Sequence, residues 1–323
     1  MSPSPSLQLA DDGRLRHLLT LDGLPAESLL ALLDAAESLR PQAAGGVGLR
    51  DCLAGRTVCT LFFEPSTRTR GSFQLAATRL GADVLGFDVH TSSARKGESA
   101  LDTMRTLEAM GVDCFIVRHA HNGMVATLAA GARPGTAFIN AGDGQSAHPT
   151  QGLLDMLTLR QRKGPDFGAL KVAIVGDVRH SRVARSDIHA LRTLGASDIR
   201  ICGPATLMPG QDVLRGCRLV ADMDEAVAGA DALMMLRLQR ERMEEGLVPS
   251  LEQYYRDFGL DARRLALAAP GAVVLHPGPM NRGVEISDEV ADGPQSAILD
   301  QVANGVAVRM AVLRAVLGGD GSR

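Results

Sequence analysis

The chain has 323 residues and a formal net charge of −3, which is long enough for two ordinary domains and gives no basic field that would attract nucleic acid or anionic lipid. Aromatic residues make up only 3% and Trp is absent, so stacking surfaces for single-stranded nucleic acid are not expected. Because no apolar run approaches the ~18 residues of a membrane span and the five cysteines include no CxxC pair, we expect a cytoplasmic protein without a zinc module.

Apolar runs of strand length alternate with helical patterns along the chain. The runs lie at 57–63, 83–87, 114–118, 136–140, 171–176, 198–202, 232–236 and 272–276, and the helical patterns lie at roughly 25–40, 66–80, 99–110, 121–131, 149–162, 182–194 and 297–317. This alternation is typical of parallel sheets with helices on both faces. Four runs precede residue 148 and four follow it. The sequence therefore predicts an α/β protein of two similar-sized domains, each a parallel sheet flanked by helices.

The boundary between the two domains is predicted from a polar stretch at 140–151 that leads into a helix. We place the first domain at residues 1–147 and the second at 148–296. The last helix, at about 297–317, is rich in Ala and Val and is expected to pack back on the first domain. In sheets of this kind, ligands bind beyond the carboxyl ends of the strands, so the residues after each apolar run are the candidates for a site.

The first such position carries three hydroxyls and two guanidiniums in five residues, from Ser66 and Thr67 through Arg68 and Thr69 to Arg70. They stand where a helix is predicted to begin, and a helix N-terminus presents unpaired N–H groups to anions. Arg adds a bidentate donor for phosphate or carboxylate. A helix cap needs only one hydroxyl, so the pattern favours a phosphate site. A well-capped helix with two surface arginines is the alternative.

Donors and rigid turns follow the other apolar runs. They are Arg118, His148 with Gln151, Arg182, Arg237 with Gln239, and the turn Pro277-Gly278-Pro279. A dinucleotide site after the fifth run is the competing interpretation, but GxGxxG is missing there. The pair His119 and His121 is only weak evidence for a metal site. Since no Ser or Cys nucleophile is paired with a His and a base, the pattern favours direct transfer between two anionic substrates.

Several segments occur in a recognisable order: FFEPSTRTRGSF, KGES, HPTQGLLDMLTL, GDVRHSRVARS, MLRLQRERM and HPGPMNRGVEI. In this order they resemble the catalytic chains of the aspartate carbamoyltransferase family, from about residue 15 to residue 317. The blocks around Arg182, Arg237 and His276 separate this family from its ornithine relative. That relative carries HCLP and DxWxSMG blocks, which are absent here.

The resemblance implies that carbamoyl phosphate and L-aspartate give N-carbamoyl-L-aspartate and phosphate, a step of pyrimidine synthesis that requires no metal or organic cofactor. The implied carbamoyl phosphate residues are Ser66, Thr67, Arg68, Thr69, Arg118, His148, Gln151, Pro277, Gly278 and Pro279. The implied catalytic set is Arg68, Thr69, Arg118 and His148, of which the last three polarise the carbamoyl oxygen. The implied L-aspartate residues are Lys96, Arg182, Arg237 and Gln239. A cis peptide bond between Gly278 and Pro279 is also implied.

The assembly implied by the resemblance is a homotrimer with active sites between chains. The 90–103 loop then reaches into the neighbouring site, where Ser92 and Lys96 act in trans. The HPGPMNRGVEI segment resembles members that assemble with dihydroorotase, so a higher assembly with dihydroorotase-like or separate regulatory chains is a further expectation.

Two alternatives concern the function. The first is an ornithine or other amino-acid carbamoyltransferase, although two arginines at strand ends suit a dicarboxylate better than ornithine. The second is an inactive homologue kept as a scaffold. The proton acceptor for the aspartate amine is either the leaving phosphate or His148.

Overall fold

The computed structural model describes residues 5–46, 49–88, 98–239 and 250–318. The chain divides into two compact units, one of Met1–Leu154 with Ala303–Arg323 and one of Asp155–Val302. The division between these two units therefore falls after Leu154, inside a helix. Each unit is an α/β structure with its own parallel sheet, which confirms the predicted fold class.

The described helices and strands alternate along the middle of the chain, from residue 57 to residue 202. The helices are α1 (Pro5–Gln8), α2 (Ala26–Ser38), α3 (Arg40–Ala43), α4 (Thr67–Arg79), α5 (Ala100–Ala109), α6 (Met124–Ala130), α7 (Pro149–Lys163), α8 (Arg182–Thr193), α9 (Met223–Val227), α10 (Leu251–Phe258), α11 (Ala262–Leu265), α12 (Asp288–Ala291) and α13 (Ile298–Leu317). The strands are β1 (Thr57–Phe62), β2 (Asp83–Asp88), β3 (Cys114–His119), β4 (Ala137–Asp143), β5 (Lys171–Val175), β6 (Asp198–Cys202), β7 (Arg218–Val220), β8 (Ala232–Met235) and β9 (Val273–Leu275).

The sheet of the first unit has the order β2-β1-β3-β4, with parallel neighbours throughout. Its strands are apolar because helices cover the sheet, and Phe115 and Phe138 stack at 5.3 Å inside the core. The register pairs Phe62 with Arg118, and His119 with Asp143. As a result, β1, β3 and β4 end side by side, and the residues that follow them lie along one edge of the sheet.

The sheet of the second unit has the order β7-β6-β5-β8-β9 and is also parallel. Val175 at the end of β5 pairs with Met235 at the end of β8, and Met234 pairs with Leu275 of β9. The carboxyl ends of β5, β8 and β9 are therefore neighbours. The sequence missed β7, since its three residues are mostly exposed and form no apolar run.

A buried polar cluster joins α7, α8 and α13 within the second unit. Asp155 on α7 and Asp187 on α8 are buried carboxyl groups that interact, and Nε2 of Gln301 on α13 donates to Oδ1 of Asp155 at 2.6 Å. Burial, together with the neighbouring Asp155 carboxyl, holds the pKa of Asp187 well above its ordinary value. Because two adjacent carboxylates in a low-dielectric interior cannot both ionise, we infer that the pair retains a proton.

We expect Asp187→Asn to raise the free energy of unfolding at pH 8 by about 1–3 kcal/mol. A carboxyl with a raised folded-state pKa contributes stability that is complete below the ordinary value of 3.8 and is lost as the pH rises through the folded-state value. The amide keeps the shape of the carboxyl, carries no charge and can donate to Asp155. Urea unfolding between pH 5 and pH 8 measures the difference, with the exposed Asp51→Asn as the control. A variant that becomes less stable than the wild type as the pH rises would contradict the shared proton.

Candidate active site

The stretch that begins α4 lies directly after β1 in the first unit. Ser66 occupies the N-cap position with an extended backbone at φ −162°, but its side chain caps no N–H of the helix. At α5, α8, α10 and α12, by contrast, the N-cap serine accepts a hydrogen bond from the third helical N–H. The hydroxyl of Ser66 and the first N–H groups of α4 therefore face the same edge without capping each other, which favours an anion site over a simple cap.

The two arginines of that stretch behave differently. Arg70 packs its guanidinium over the ring of Phe62 at 5.1 Å, whereas the side chain of Arg68 is exposed. Thr67 is exposed and Thr69 is buried. The apolar face of the helix, including Phe73, packs into the core and holds this N-terminus in place. Arg70 is thus a packing residue, and Arg68 is the exposed guanidinium at the helix start.

Arg118 at the end of β3 is a mostly buried cation beside an acidic residue that the sequence reasoning missed. Its Nε atom lies 3.4 Å from Oε2 of Glu64, and a terminal nitrogen donates to the carbonyl of Ala141 at 3.2 Å. Glu64 follows β1 by two residues and precedes the hydroxyl-rich stretch. An acid directly before an anion site was the signal that could have revealed it, because it opposes phosphate binding unless a cation neutralises it.

His148 lies directly before α7 and is buried. The turn that leads to it is fixed by Asp143, whose Oδ2 accepts hydrogen bonds from the N–H of Gly123 at 2.8 Å and the hydroxyl of Ser146 at 2.9 Å. Gln151 stands on the first turn of α7 and is half-buried. In the first unit, His148 and Gln151 therefore follow β4, and the α4 stretch follows β1. Arg118 lies at the end of β3, the strand between these two.

In the second unit, Arg182 is the first residue of α8 and is almost fully buried. The loop before it is held by Asp177, whose Oδ1 lies 2.9 Å from Nδ1 of His180 and accepts the N–H of His180 at 3.2 Å. Burial raises the pKa of Asp177, while its contacts with His180 act in the opposite direction. Gly176 has φ +126°, and a Cβ there would lie 3.0 Å from the hydroxyl oxygen of Tyr254, so this turn requires glycine.

Arg237 and Gln239 follow β8, the neighbour of β5. Nε2 of Gln239 donates to the carbonyl of His180 at 3.2 Å, which joins this segment to the loop that carries Arg182. The turn at 277–279 follows β9 on the other side of β8, and its Gly278–Pro279 peptide bond is cis, as expected. The second unit thus brings two arginines and this turn to the ends of adjacent strands.

Two predicted residues cannot be placed in this way, because Ser92 and Lys96 lie outside the described residues.

His119 and His121 contact each other edge to face at 5.0 Å, and burial with the neighbouring His121 lowers the pKa of His119. Across the described ranges, no group of three or more His, Cys, Asp and Glu residues could hold a metal ion. Within the same ranges, no helix is both long and apolar enough to span a membrane.

Comparison with known proteins identifies the class of this chain. Residues 16–161 match the family model of the aspartate/ornithine carbamoyltransferase carbamoyl-P binding domain, and residues 169–316 match that of the Asp/Orn binding domain. The chain belongs to the aspartate/ornithine carbamoyltransferase family. The resemblance found in the sequence motifs is thereby confirmed.

Within that family, curated relatives of high identity to this chain are named as aspartate enzymes. The chain is 70% identical over 313 residues to the aspartate carbamoyltransferase catalytic subunit of Xanthomonas campestris pv. campestris (strain B100), covering 97% of this chain and 99% of the relative. It is 69% identical over 312 residues to the subunit of the same name from Stenotrophomonas maltophilia (strain R551-3), covering 96% and 99%.

The solved structures that resemble this chain include both branches of the family. Aspartate transcarbamoylase from Trypanosoma cruzi in complex with carbamoyl phosphate has a TM-score of 0.85 and 32% identity, covering 94% of this chain and 96% of that chain. Ornithine carbamoyltransferase from Thermus thermophilus has a TM-score of 0.82 and 29% identity, covering 94% and 99%. The fold is therefore shared by both branches, and substrate preference must come from particular side chains.

Proposed function

We propose that this chain transfers the carbamoyl group of carbamoyl phosphate to the amine of L-aspartate, giving N-carbamoyl-L-aspartate and phosphate for pyrimidine synthesis. The observation that carries the choice of aspartate is the pair Arg182 and Arg237 after the adjacent strands β5 and β8, linked by the contact between Gln239 and His180. Two cations suit a substrate with two carboxylates, because each guanidinium can bind one in a bidentate manner. The high identity to curated aspartate enzymes supports the same choice.

The first unit supplies the proposed donors for the phosphate and the carbamoyl oxygen of carbamoyl phosphate. The helix start at Ser66–Thr69 binds the phosphate, and Thr69, Arg118 and His148 polarise the carbamoyl oxygen. Attack by the amine places negative charge on that oxygen while phosphate departs, and preorganised donors are worth about 3–4 kcal/mol each in such a step. Gln151, with the carbonyls of Pro277 and Gly278 at the turn closed by Pro279, orients the carbamoyl amide. Alignment of the two bound reactants contributes a further ~7–11 kcal/mol.

A substrate panel tests the function directly. Purified protein with carbamoyl phosphate should produce N-carbamoyl-L-aspartate from L-aspartate, with a kcat/KM far above that for L-ornithine or other amino acids. Preference for ornithine would overturn the assignment of the two arginines, and no turnover with any amine would favour the inactive scaffold.

Arg237→Ala should raise the KM for aspartate by about a hundredfold, with a smaller loss of kcat. Arg237 is proposed to bind a carboxylate in both the ground state and the transition state, so its loss weakens binding of both. Steady-state kinetics at saturating carbamoyl phosphate measures this. Arg218→Ala removes an exposed arginine of the same unit and should leave the KM for aspartate unchanged. A kcat loss larger than the rise in KM would contradict the proposed role.

We also propose a homotrimer in which Ser92 and Lys96 of one chain serve the site of the next. The relatives of high identity are named catalytic subunits, which supports assembly with other chains, and we propose dihydroorotase-like or separate regulatory chains as those partners. Light scattering on the purified chain tests the trimer, and co-purification from native extracts tests the larger assembly.

A further inference from the structure

Glu285 is a completely buried acidic residue of the second unit. Its Oε1 accepts hydrogen bonds from the N–H of Leu238 at 2.8 Å and from Nδ2 of Asn281 at 2.6 Å, and its Oε2 accepts the N–H of Asn281 at 2.7 Å. Over the part of the chain that the structure describes, its ion-pair contact is with a histidine and not with Lys or Arg. Burying a carboxylate is costly even when it is hydrogen-bonded, and an apolar residue would often stabilise the fold as well. Burial of this carboxylate is therefore weak evidence for a purely stabilising role.

On one side, Glu285 contacts the 237–239 segment, which is proposed to bind aspartate. Leu238 lies between Arg237 and Gln239, and its side chain is buried in a cluster with Tyr254. The hydrogen bond from the N–H of Leu238 to Glu285 fixes the peptide plane between Arg237 and Leu238. The direction in which the Arg237 side chain leaves the backbone is set by that plane.

On the other side, Glu285 approaches the turn at 277–279 through His276. Nδ1 of His276 accepts the N–H of Gly278 at 2.8 Å, so the ring proton is assigned to Nε2. That Nε2 lies 3.6 Å from Oε2 of Glu285, which is an electrostatic contact rather than a hydrogen bond. The N–H of His276 donates to Oε1 of Gln301 at 2.9 Å, which fixes the start of the turn.

We propose that Glu285 is a positioning residue that holds the 237–239 segment and the 277–279 turn at a constant separation. The sheet already aligns β8 with β9, and Glu285 acts on the two segments that follow these strands, beyond the edge of the sheet. The proposal rests on the proposed function, in which one segment binds aspartate and the other orients the carbamoyl amide. In this proposal Glu285 acts on the 237–239 segment through the N–H of Leu238 and on the 277–279 turn through the His276 side chain, and it is not assigned a substrate contact.

Glu285→Gln tests this role because an amide has one acceptor oxygen and one NH2 group, and cannot accept all three N–H donors. We expect kcat/KM for aspartate to fall about 10- to 100-fold, mainly through KM, with a smaller rise in the KM for carbamoyl phosphate. Affinity for inorganic phosphate should stay unchanged, because its proposed donors lie in the first unit. Glu289→Gln, an exposed change four residues away, is the matched control and should leave both KM values unchanged.

A folded Glu285→Gln enzyme with a lower Tm but wild-type KM values would reduce Glu285 to a structural residue and overturn the proposal. If that variant fails to fold, Asn281→Ala removes the Nδ2 donor to Glu285, keeps the backbone N–H donor of residue 281, and should raise the KM for aspartate by about 2- to 5-fold. An unchanged KM in the folded Asn281→Ala enzyme also overturns it.

Amide hydrogen exchange gives a readout that does not depend on activity. Without substrate, the N–H groups of Leu238 and Gly278 should both lose protection in Glu285→Gln, while those of β5 should not. If the wild-type protein fails to carbamoylate aspartate but this exchange pattern appears, the proposed function is wrong and the coupling of the two segments stands. Unchanged protection at both amides refutes the coupling itself.

Discussion

Arg118→Ala is expected to lower kcat by about a hundredfold or more, with a smaller effect on the KM for aspartate. In the proposed mechanism, Arg118 meets the charge that develops on the carbamoyl oxygen, and this charge is absent from the bound substrates. An interaction made only in the transition state appears in kcat. Steady-state kinetics with both substrates saturating measures it.

The control for this variant is Arg105→Ala, which removes an exposed arginine from α5 in the same unit and should have no kinetic effect. Arg118 also lies beside Glu64, so the loss of the guanidinium leaves a mostly buried carboxylate without this cation. A Tm measurement separates that stability cost from catalysis. Equal effects on kcat and KM in both Arg118→Ala and Arg237→Ala would show that the two arginines are assigned the wrong roles.

The sheets were largely predictable because most strands are runs of buried apolar residues that end abruptly at polar ones. β1 illustrates this: the apolar run that contains it ends in Phe63, and Glu64 and the hydroxyl-rich stretch follow at once. The exceptions have clear physical reasons. β4 extends to Asp143 beyond the predicted end because Gly142 and Asp143 are buried at the sheet edge, and β7 is too short and exposed to produce a hydrophobic pattern.

The features of the candidate site also fall into those that the sequence could predict and those that it could not. Donors at the end of a strand or just after it, such as Arg118 and Arg237, could be found because parallel strands end at a common edge and the position in the sequence then gives the position in space. The kind of ligand that each donor suits could also be predicted, since a guanidinium is a bidentate donor for anions whatever residues lie far from it in the sequence.

The contacts that fix these donors could not be found in the same way. Glu285 and Leu238 are 47 residues apart, and Gln301 and Asp155 are 146 residues apart. Nothing in the local pattern around Glu285 identifies Leu238 as its partner, since the pairing depends on how β8, β9 and α13 pack. Glu64 was missed for a different reason, because an acid before an anion site has an evident role only when the neighbouring strand places Arg118 beside it.

The proposed trimer leads to the remaining prediction, which concerns Lys96, a residue outside the described part of the chain. Lys96→Ala and Arg118→Ala should each be nearly inactive when purified as homotrimers. If one active site takes Arg118 from one chain and Lys96 from the next, a trimer that contains both variants has one site with neither residue missing. Lys163→Ala, a lysine change in the second unit, is the matched control and should retain activity.

Mixing the two inactive variants in equal amounts, followed by dissociation and reassembly, should therefore restore activity to about a quarter of the wild-type value, because about three quarters of random trimers are mixed and each has one intact site in three. If Lys96 served the site of its own chain, every site in every mixed trimer would lack either Lys96 or Arg118, and no activity would return. Different affinity tags on the two variants allow mixed trimers to be isolated and assayed. Isolated mixed trimers without activity would refute the role of Lys96 in trans, whereas recovery near the expected fraction requires that a site be completed by two chains.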